Sequence, residues 1–96
     1  MYAALDFETA SSRTAGRICS VGVVRFDERG THGEYYTLCD PGCTMDPICQ
    51  RVHGLTEAMV EVAPPFSHML GGLADELAGC IVFAHWAAFD VKKLLA

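Results

Sequence analysis

Basic residues are scarce in this sequence. Its 96 residues include seven lysines and arginines against twelve aspartates and glutamates, for a net charge of -5. Proteins that coat nucleic acid non-specifically are normally basic, so this balance argues against that class. The negative charge does not exclude an enzyme that binds a few nucleotides around a metal ion, because carboxylates that bind metals also make a chain acidic.

Long apolar runs and leader-like segments are also lacking. No run is long enough to span a membrane, and the N-terminus has no basic region followed by a hydrophobic segment. We therefore expect no membrane association and a cytoplasmic location. A chain of this length that is 51% hydrophobic is typical of at most one small globular domain.

The sequence contains five cysteines, an odd number, and the chain is expected to be intracellular. Both observations argue against a framework of disulfide bonds. Cys19 and Cys80 lie in apolar runs and are interpreted as buried small side chains. One alternative is a structural zinc site, although such sites usually have a longer loop between their two ligand pairs. Its candidate ligands are Cys39, Cys43, Cys49 and His53.

Two carboxylates stand one residue apart in an apolar run close to the N-terminus, over residues 3–9. In a strand, Asp6 and Glu8 share one face while Leu5 and Phe7 share the other, and residues two apart are separated by about 6.5 Å. That spacing suits carboxylates converging on Mg²⁺ or Mn²⁺, which prefer oxygen ligands. The alternative is a solvated strand face, or acids that help to cap a helix beginning near Thr9.

The first part of the chain predicts an antiparallel meander. Residues 10–16 are small and polar and predict a loop, and residues 27–30 predict a turn. Alternating or β-branched and aromatic residues favour strands on either side of these breaks. Strands are predicted over residues 2–7, 17–26 and 34–39.

The second part predicts helices around one further strand. Residues 45–52 predict a short irregular or helical piece, 56–60 a short helix capped by Thr56, and 66–77 an amphipathic helix ended by Gly79. The apolar run at 80–84 follows that helix, so it predicts a buried strand parallel to the first. A last helix is predicted over 88–96. The sequence stops within it, and we expect a fragment or a domain missing its last third.

Four short segments occur in a familiar order: ALDFET at 4–9, ICSVG at 18–22, HGLT at 53–56 and HWAAFD at 85–90. Together they resemble the DEDD superfamily of 3′→5′ exonucleases, and most closely the bacterial DNA polymerase III epsilon (proofreading) subunit family. The resemblance implies an α/β, ribonuclease H-like mixed sheet: an antiparallel three-strand meander plus a parallel fourth strand, with helices, truncated before the last elements. Residues 1–96 would be the N-terminal part of a single exonuclease domain.

The resemblance also implies an activity and a site. The activity is two-metal hydrolysis of phosphodiester bonds at nucleic-acid 3′ ends with Mg²⁺ or Mn²⁺, with DNA favoured over RNA. Asp6 and Glu8 match the first motif, which binds the metals, and Asp90 matches the acid of the second motif. His85 is not the family's catalytic base. The positions that match segments near the terminal nucleotide are Thr9, His53, Gly54, Leu55 and Thr56.

Two departures from the family pattern bear on activity. Trp86 stands where relatives usually carry Asn, and it either packs against the sheet or stacks on a base. The third motif, which supplies a histidine or tyrosine and the fourth acid, would lie beyond Ala96. We therefore expect this chain alone to hydrolyse slowly or not at all. The alternative is a catalytically inactive module that binds nucleic acid or a protein partner.

A chain lacking those later elements would leave apolar surface open around the strand at 80–84. Uncovered apolar patches and free strand edges tend to find partners. The sequence therefore predicts a homo-oligomer formed through the C-terminal third.

Overall fold

A four-stranded mixed sheet organises the molecule. The computed structural model describes residues 1–11 and 17–84. Antiparallel pairing joins β1 to β2 and β2 to β3, while β1 and β4 are parallel, in the order β3-β2-β1-β4. The predicted meander and parallel fourth strand are confirmed. The strands are β1 (Tyr2–Thr9), β2 (Ile18–Asp27), β3 (Gly30–Leu38) and β4 (Ile81–Ala84).

The third strand begins four residues earlier than predicted, because the turn before it is very tight. Asp27 pairs with Gly30 across the turn, and the Asp27 Oδ1 accepts a hydrogen bond from the Arg29 N–H at 2.7 Å. Gly30 has a φ of 121°, which residues other than glycine rarely adopt. The pairing therefore continues through polar residues that carry no local strand signal.

Three helices and a 3₁₀ turn connect β3 to β4. The helix predicted over 66–77 begins with the 3₁₀ turn, a common way for an α-helix to start, and Gly79 follows its end in the left-handed conformation with a φ of 73°. The helix predicted over 88–96 lies outside the described residues. The observed elements are α1 (Pro47–His53), α2 (Glu57–Val60), the 3₁₀ turn (Phe66–Met69) and α3 (Leu70–Leu77).

The main core lies between one face of the sheet and the segment from the 3₁₀ turn to α3. Leu5 and Phe7 of β1 are buried there against Leu73, and the Phe7 ring meets the Phe66 ring edge-on at 5.8 Å. A second cluster is formed at the end of the sheet where α1 and α2 pack. Its buried members are Ala10, Cys19, Met45, Leu55 and Val60.

The opposite face of the sheet, called the open face below, carries exposed side chains. It includes Asp6, Gly22 and Tyr36, which lie in one row across β1, β2 and β3. The apolar run predicted a buried strand, and this is wrong for β4: Ile81 and Phe83 are 62% and 53% exposed. This exposure agrees with the open apolar surface expected around residues 80–84. The apolar run predicted a strand correctly, but burial depends on neighbouring elements, and β4 pairs with β1 along one edge.

No helix within residues 1–11 and 17–84 is long and apolar enough to cross a membrane.

Packing between α3 and the sheet can be tested on two leucines of the same helix. Leu73 is 2% exposed and Leu70 is 42% exposed. We expect Leu73→Ala to lower the free energy of unfolding by about 2–5 kcal/mol, because it opens a cavity in the core. Leu70→Ala, the matched control, should change it by about 0.5 kcal/mol or less. Urea denaturation measures both, and equal losses would contradict this packing.

Candidate active site

The carboxylates of Asp6 and Glu8 stand together on the open face of β1. Their neighbours Leu5 and Phe7 are buried in the main core, so alternation along the strand turns both acids to the other side. Asp6 is exposed and Glu8 is half-buried. The shared face predicted from the spacing is therefore present in the fold.

The surroundings of Glu8 shift its pKa. Burial raises its pKa above the ordinary value of 4.5, the charge of Asp6 raises it further, and His53 lowers it. Two like charges on a partly desolvated strand disfavour each other's ionised form. A divalent cation between them would offset this repulsion, so the pair suits a hard cation with oxygen ligands.

The acid pair lies toward the carboxyl end of β1, beside the end of β4. Leu5 is paired with Ala84 in the parallel register, so β4 finishes next to the residue that precedes Asp6. In sheets with parallel strands, ligands bind at the carboxyl ends of those strands. Asp90 and Trp86, the other predicted contributors, lie outside the described residues.

Space for a ligand exists beside Asp6. A cavity of about 350 Å³ on the open face runs from Asp6 across Gly22 to Glu34 and Tyr36. A side chain at Gly22 would put its Cβ 3.7 Å from the Tyr36 ring, so this ring lies directly over the glycine. The exposed Tyr36 ring was not selected from the sequence, where it signals only a strand.

His53 contacts the backbone next to Glu8. The Leu55 N–H donates to its Nδ1 at 3.0 Å, so its Nε2 carries the proton and donates to the Thr9 carbonyl oxygen at 3.1 Å. The Cys19 sulfur lies 3.8 Å from Nε2. Desolvation, with smaller contributions led by Glu8, raises the pKa of Cys19 to about 12, so this neighbour is a neutral thiol.

The three residues after His53 have clear structural roles. Gly54 ends α1 in the left-handed conformation and its N–H donates to the Gln50 carbonyl at 2.7 Å. Leu55 is buried in the second cluster. Thr56 caps α2 as predicted, since its Oγ1 accepts from the Met59 N–H at 3.2 Å. A role of these residues in binding substrate stays a prediction.

Thr9 begins a short segment that is tied to the start of α1. Its Oγ1 donates to the Ser11 carbonyl at 3.0 Å, and the Ser11 hydroxyl donates to the Asp46 Oδ2 at 3.0 Å. The Asp46 N–H donates to the Ala10 carbonyl at 2.7 Å. Sequence reasoning missed Asp46. Its position before Pro47, the first residue of α1, is the available signal, because aspartate followed by proline is typical of a helix start.

The structure contradicts the zinc alternative. The Cys39 thiol donates to the Met69 sulfur at 3.4 Å inside the main core, and burial raises the pKa of Cys39 to about 11. Both ring nitrogens of His53 already have partners. Within the described ranges, no three or more His, Cys, Asp or Glu side chains come together as a metal site, although all four zinc candidates belong to those ranges.

This arrangement, a mixed sheet with acids at the end of its central strand, defines a ribonuclease H-like fold of the exonuclease type. The exonuclease family model (RNase T) matches residues 3–96, and the chain belongs to this family.

Two curated relatives illustrate the similarity. DNA polymerase III subunit epsilon of Treponema pallidum (strain Nichols) is 29% identical over 96 residues, which cover 99% of this chain and 45% of that protein. The DNA polymerase III subunit epsilon-like protein of Rhodobacter capsulatus is 32% identical over 97 residues, which cover 97% of this chain and 14% of that protein. The chain thus spans less than half of the length of these two relatives.

Two solved structures have similar folds. Exonuclease X in complex with 5′ overhanging duplex DNA superposes with a TM-score of 0.76 at 25% identity, covering 100% of this chain and 54% of that chain. Apo exonuclease I superposes with a TM-score of 0.84 at 15% identity, covering 97% of this chain and 23% of that chain. The second likeness concerns the fold alone.

The perturbed pKa of Glu8 predicts a stability effect in the metal-free protein. The native state holds the Glu8 proton to higher pH than the unfolded state, so stability falls as pH rises from about 4.5 through the raised pKa. Glu8→Gln should therefore raise the melting temperature at pH 7 in EDTA by a few degrees. The gain should largely disappear at pH 4, where the wild-type carboxyl is mostly protonated in both states.

The matched control for this prediction is Glu34→Gln, which makes the same chemical change at an exposed position of β3 on the open face. It should leave the melting temperature nearly unchanged. Thermal unfolding followed by circular dichroism measures all three proteins. If Glu8→Gln melts at a lower temperature than the wild type at pH 7, the prediction that the Glu8 charge destabilises the metal-free protein would be contradicted.

Proposed function

We propose that this protein is a 3′→5′ exonuclease that hydrolyses phosphodiester bonds at nucleic-acid 3′ ends with Mg²⁺ or Mn²⁺ in a two-metal site. The observation that carries the proposal is the acid pair Asp6 and Glu8 at the carboxyl end of β1, on the open face of an exonuclease-family fold. Burial, and then the charge of Asp6, raise the pKa of Glu8, and a cation bound between the two acids would offset both effects.

The chain's own residues would divide the work as follows. Asp6 and Glu8 supply oxygen ligands from a strand whose other face is locked in the core, and Asp90 supplies a further carboxylate directly or through water. Two divalent cations held by these carboxylates would supply the positive charge that activates a water and stabilises the leaving 3′ oxygen. Bound cations would also let a chain with a net charge of -5 accept a phosphate group.

Substrate would approach over the open face. The cavity beside Asp6 has room for part of a nucleotide, and the segments containing Thr9 and residues 53–56 border the same end of β1. We propose that Thr9, together with His53, Gly54, Leu55 and Thr56, surrounds the terminal nucleotide. DNA is the proposed substrate, because the structure of the relative exonuclease X contains duplex DNA.

We further propose that residues 1–96 are the N-terminal part of a single exonuclease domain, since they span 45% of the Treponema relative. The family's third motif would then be contributed by later residues. The isolated 96-residue chain should accordingly turn over much more slowly than a complete enzyme, because those later residues would supply the proton acceptor and one carboxylate.

The test of the nuclease proposal uses the full natural protein and DNA and RNA oligonucleotides labelled at either end. With Mn²⁺, we expect release of single nucleotides from the 3′ end of DNA. Asp6→Asn should slow this by about 100-fold or more, because losing a metal ligand removes several kcal/mol of charge stabilisation. Glu28→Gln, an exposed control in the turn between β2 and β3 and outside the lining of the cavity beside Asp6, should keep the wild-type rate.

The outcomes separate the two functions left open by the sequence. Release that is independent of divalent cation, or unaffected by Asp6→Asn, would contradict the proposal. Tight DNA binding with no cleavage by the full protein would instead support the alternative, a catalytically inactive exonuclease-like module. Faster cleavage of RNA than of DNA would overturn the substrate preference alone.

We also propose that the 96-residue protein self-associates through the region of β4. Ile81 and Phe83 are 62% and 53% exposed, and Phe83 forms an aromatic cluster on the open face with Tyr2 and Phe26, at ring distances of 5.7 and 6.4 Å. Exposed apolar side chains on a strand that pairs along one edge tend to recruit a second copy.

Light scattering over a range of concentrations tests self-association. Phe83→Ser should shift the protein toward monomer, since it removes an exposed aromatic ring from the proposed contact. Ile48→Ser is the matched control, because Ile48 is 62% exposed on α1, away from β4. A wild-type protein that stays monomeric at high concentration would contradict the proposal.

A further inference from the structure

The end of β1 is held from outside the sheet. The pairing register between β1 and β2 shifts between Glu8 and Thr9, so the regular ladder is interrupted right after the second acid. At this irregularity the Thr9 carbonyl accepts a hydrogen bond from the His53 Nε2 at 3.1 Å, across 44 residues of sequence. The backbone that carries the Glu8 side chain is therefore fixed on its C-terminal side by a histidine.

The imidazole ring of His53 is itself fixed. Its Nδ1 accepts from the Leu55 N–H at 3.0 Å, which leaves the proton on Nε2 and aims that N–H at Thr9. Leu55 is buried in the second cluster, so the donor cannot move without disturbing that packing. The Cys19 thiol, 3.8 Å from Nε2, occupies a further side of the ring.

Two engaged nitrogens restrict what His53 can do. A ring that donates through Nε2 and accepts through Nδ1 has no free lone pair for a metal ion and none for taking a proton from water. The ring nevertheless lies close enough to lower the pKa of Glu8, although burial and Asp6 outweigh this effect. Through Nε2, His53 thus contacts the backbone beside the acid pair and not the carboxylates themselves.

We infer that His53 is a positioning residue of the acid pair: through the Thr9 carbonyl it sets the orientation of Glu8 for cation binding. The inference rests on the proposed metal-dependent function and goes beyond a contact with the terminal nucleotide. Partners that orient metal ligands in this way typically change metal affinity by about 10–100-fold when removed.

Two substitutions of His53 distinguish the effect of its hydrogen bond to Thr9 from the effect of its hydrogen bond to Leu55. His53→Asn keeps an oxygen near the position of Nδ1, where asparagine readily accepts from the N–H two residues on, but it is too short to reach Thr9. His53→Ala removes both bonds. We expect both variants to bind Mn²⁺ alone about 10-fold more weakly than the wild type in a titration followed by electron paramagnetic resonance.

Stability distinguishes positioning from a general structural role. His53→Asn should keep a melting temperature near that of the wild type, because the local turn survives, whereas His53→Ala should melt lower. Wild-type Mn²⁺ affinity in a folded His53→Asn protein would overturn the inference. So would a loss of affinity that only His53→Ala shows, since the turn would then be the cause.

Nitrogen NMR of the metal-free wild type supplies a test that needs no variant and no metal. It should report the Nε2–H tautomer of His53, and a proton on Nδ1 would overturn the inference. In His53→Asn, the amide signals of Glu8 and Thr9 should move while those of residues 3–5 stay in place. If the wild type binds no Mn²⁺ while these signals behave as expected, the proposed function fails and the positioning contact stands.

Discussion

Burial of Leu5 and Phe7 against α3 is the constraint on which the candidate site depends. Because side chains alternate along β1, filling the core with these two residues fixes Asp6 and Glu8 on the opposite face. A slip of one residue in register would bury both acids and expose the apolar pair, at a cost of several kcal/mol for the desolvated charges. Packing of the core thus fixes the geometry that the proposed metal site needs.

A second constraint fixes the far end of the same strand. Beyond Glu8 the ladder loses its regular register, and contacts from α1 and the following loop replace it. These contacts are anchored in the second cluster, in which Leu55 and Cys19 are buried together. The acid pair therefore lies between a strand fixed by the main core and a chain segment fixed by the second cluster. Rigid elements of this kind would preorganise the two carboxylates before a cation binds.

Local patterns in the sequence predicted the features that local physics controls. Alternation identified the acid face of β1, and the helix preceding the apolar run indicated the parallel pairing of β4. The early start of β3 depends on pairing with distant residues, so no window of sequence contains it. The same is true of the bond between His53 and Thr9, which joins positions 44 residues apart. The zinc site was an alternative that its spacing did not favour, and the fold does not bring its candidate ligands together. Asp90 lies outside the described residues.

We propose above all that the acid pair on β1 is the metal centre of an exonuclease. Anomalous diffraction from crystals of the protein soaked in Mn²⁺ tests it most directly, because the scattering locates the cation without reference to activity. The account predicts an anomalous peak within coordination distance, about 2.0–2.4 Å, of carboxylate oxygens from Asp6 and Glu8. The absence of a peak at these carboxylates at saturating Mn²⁺, or a peak only at another position, would contradict the proposal.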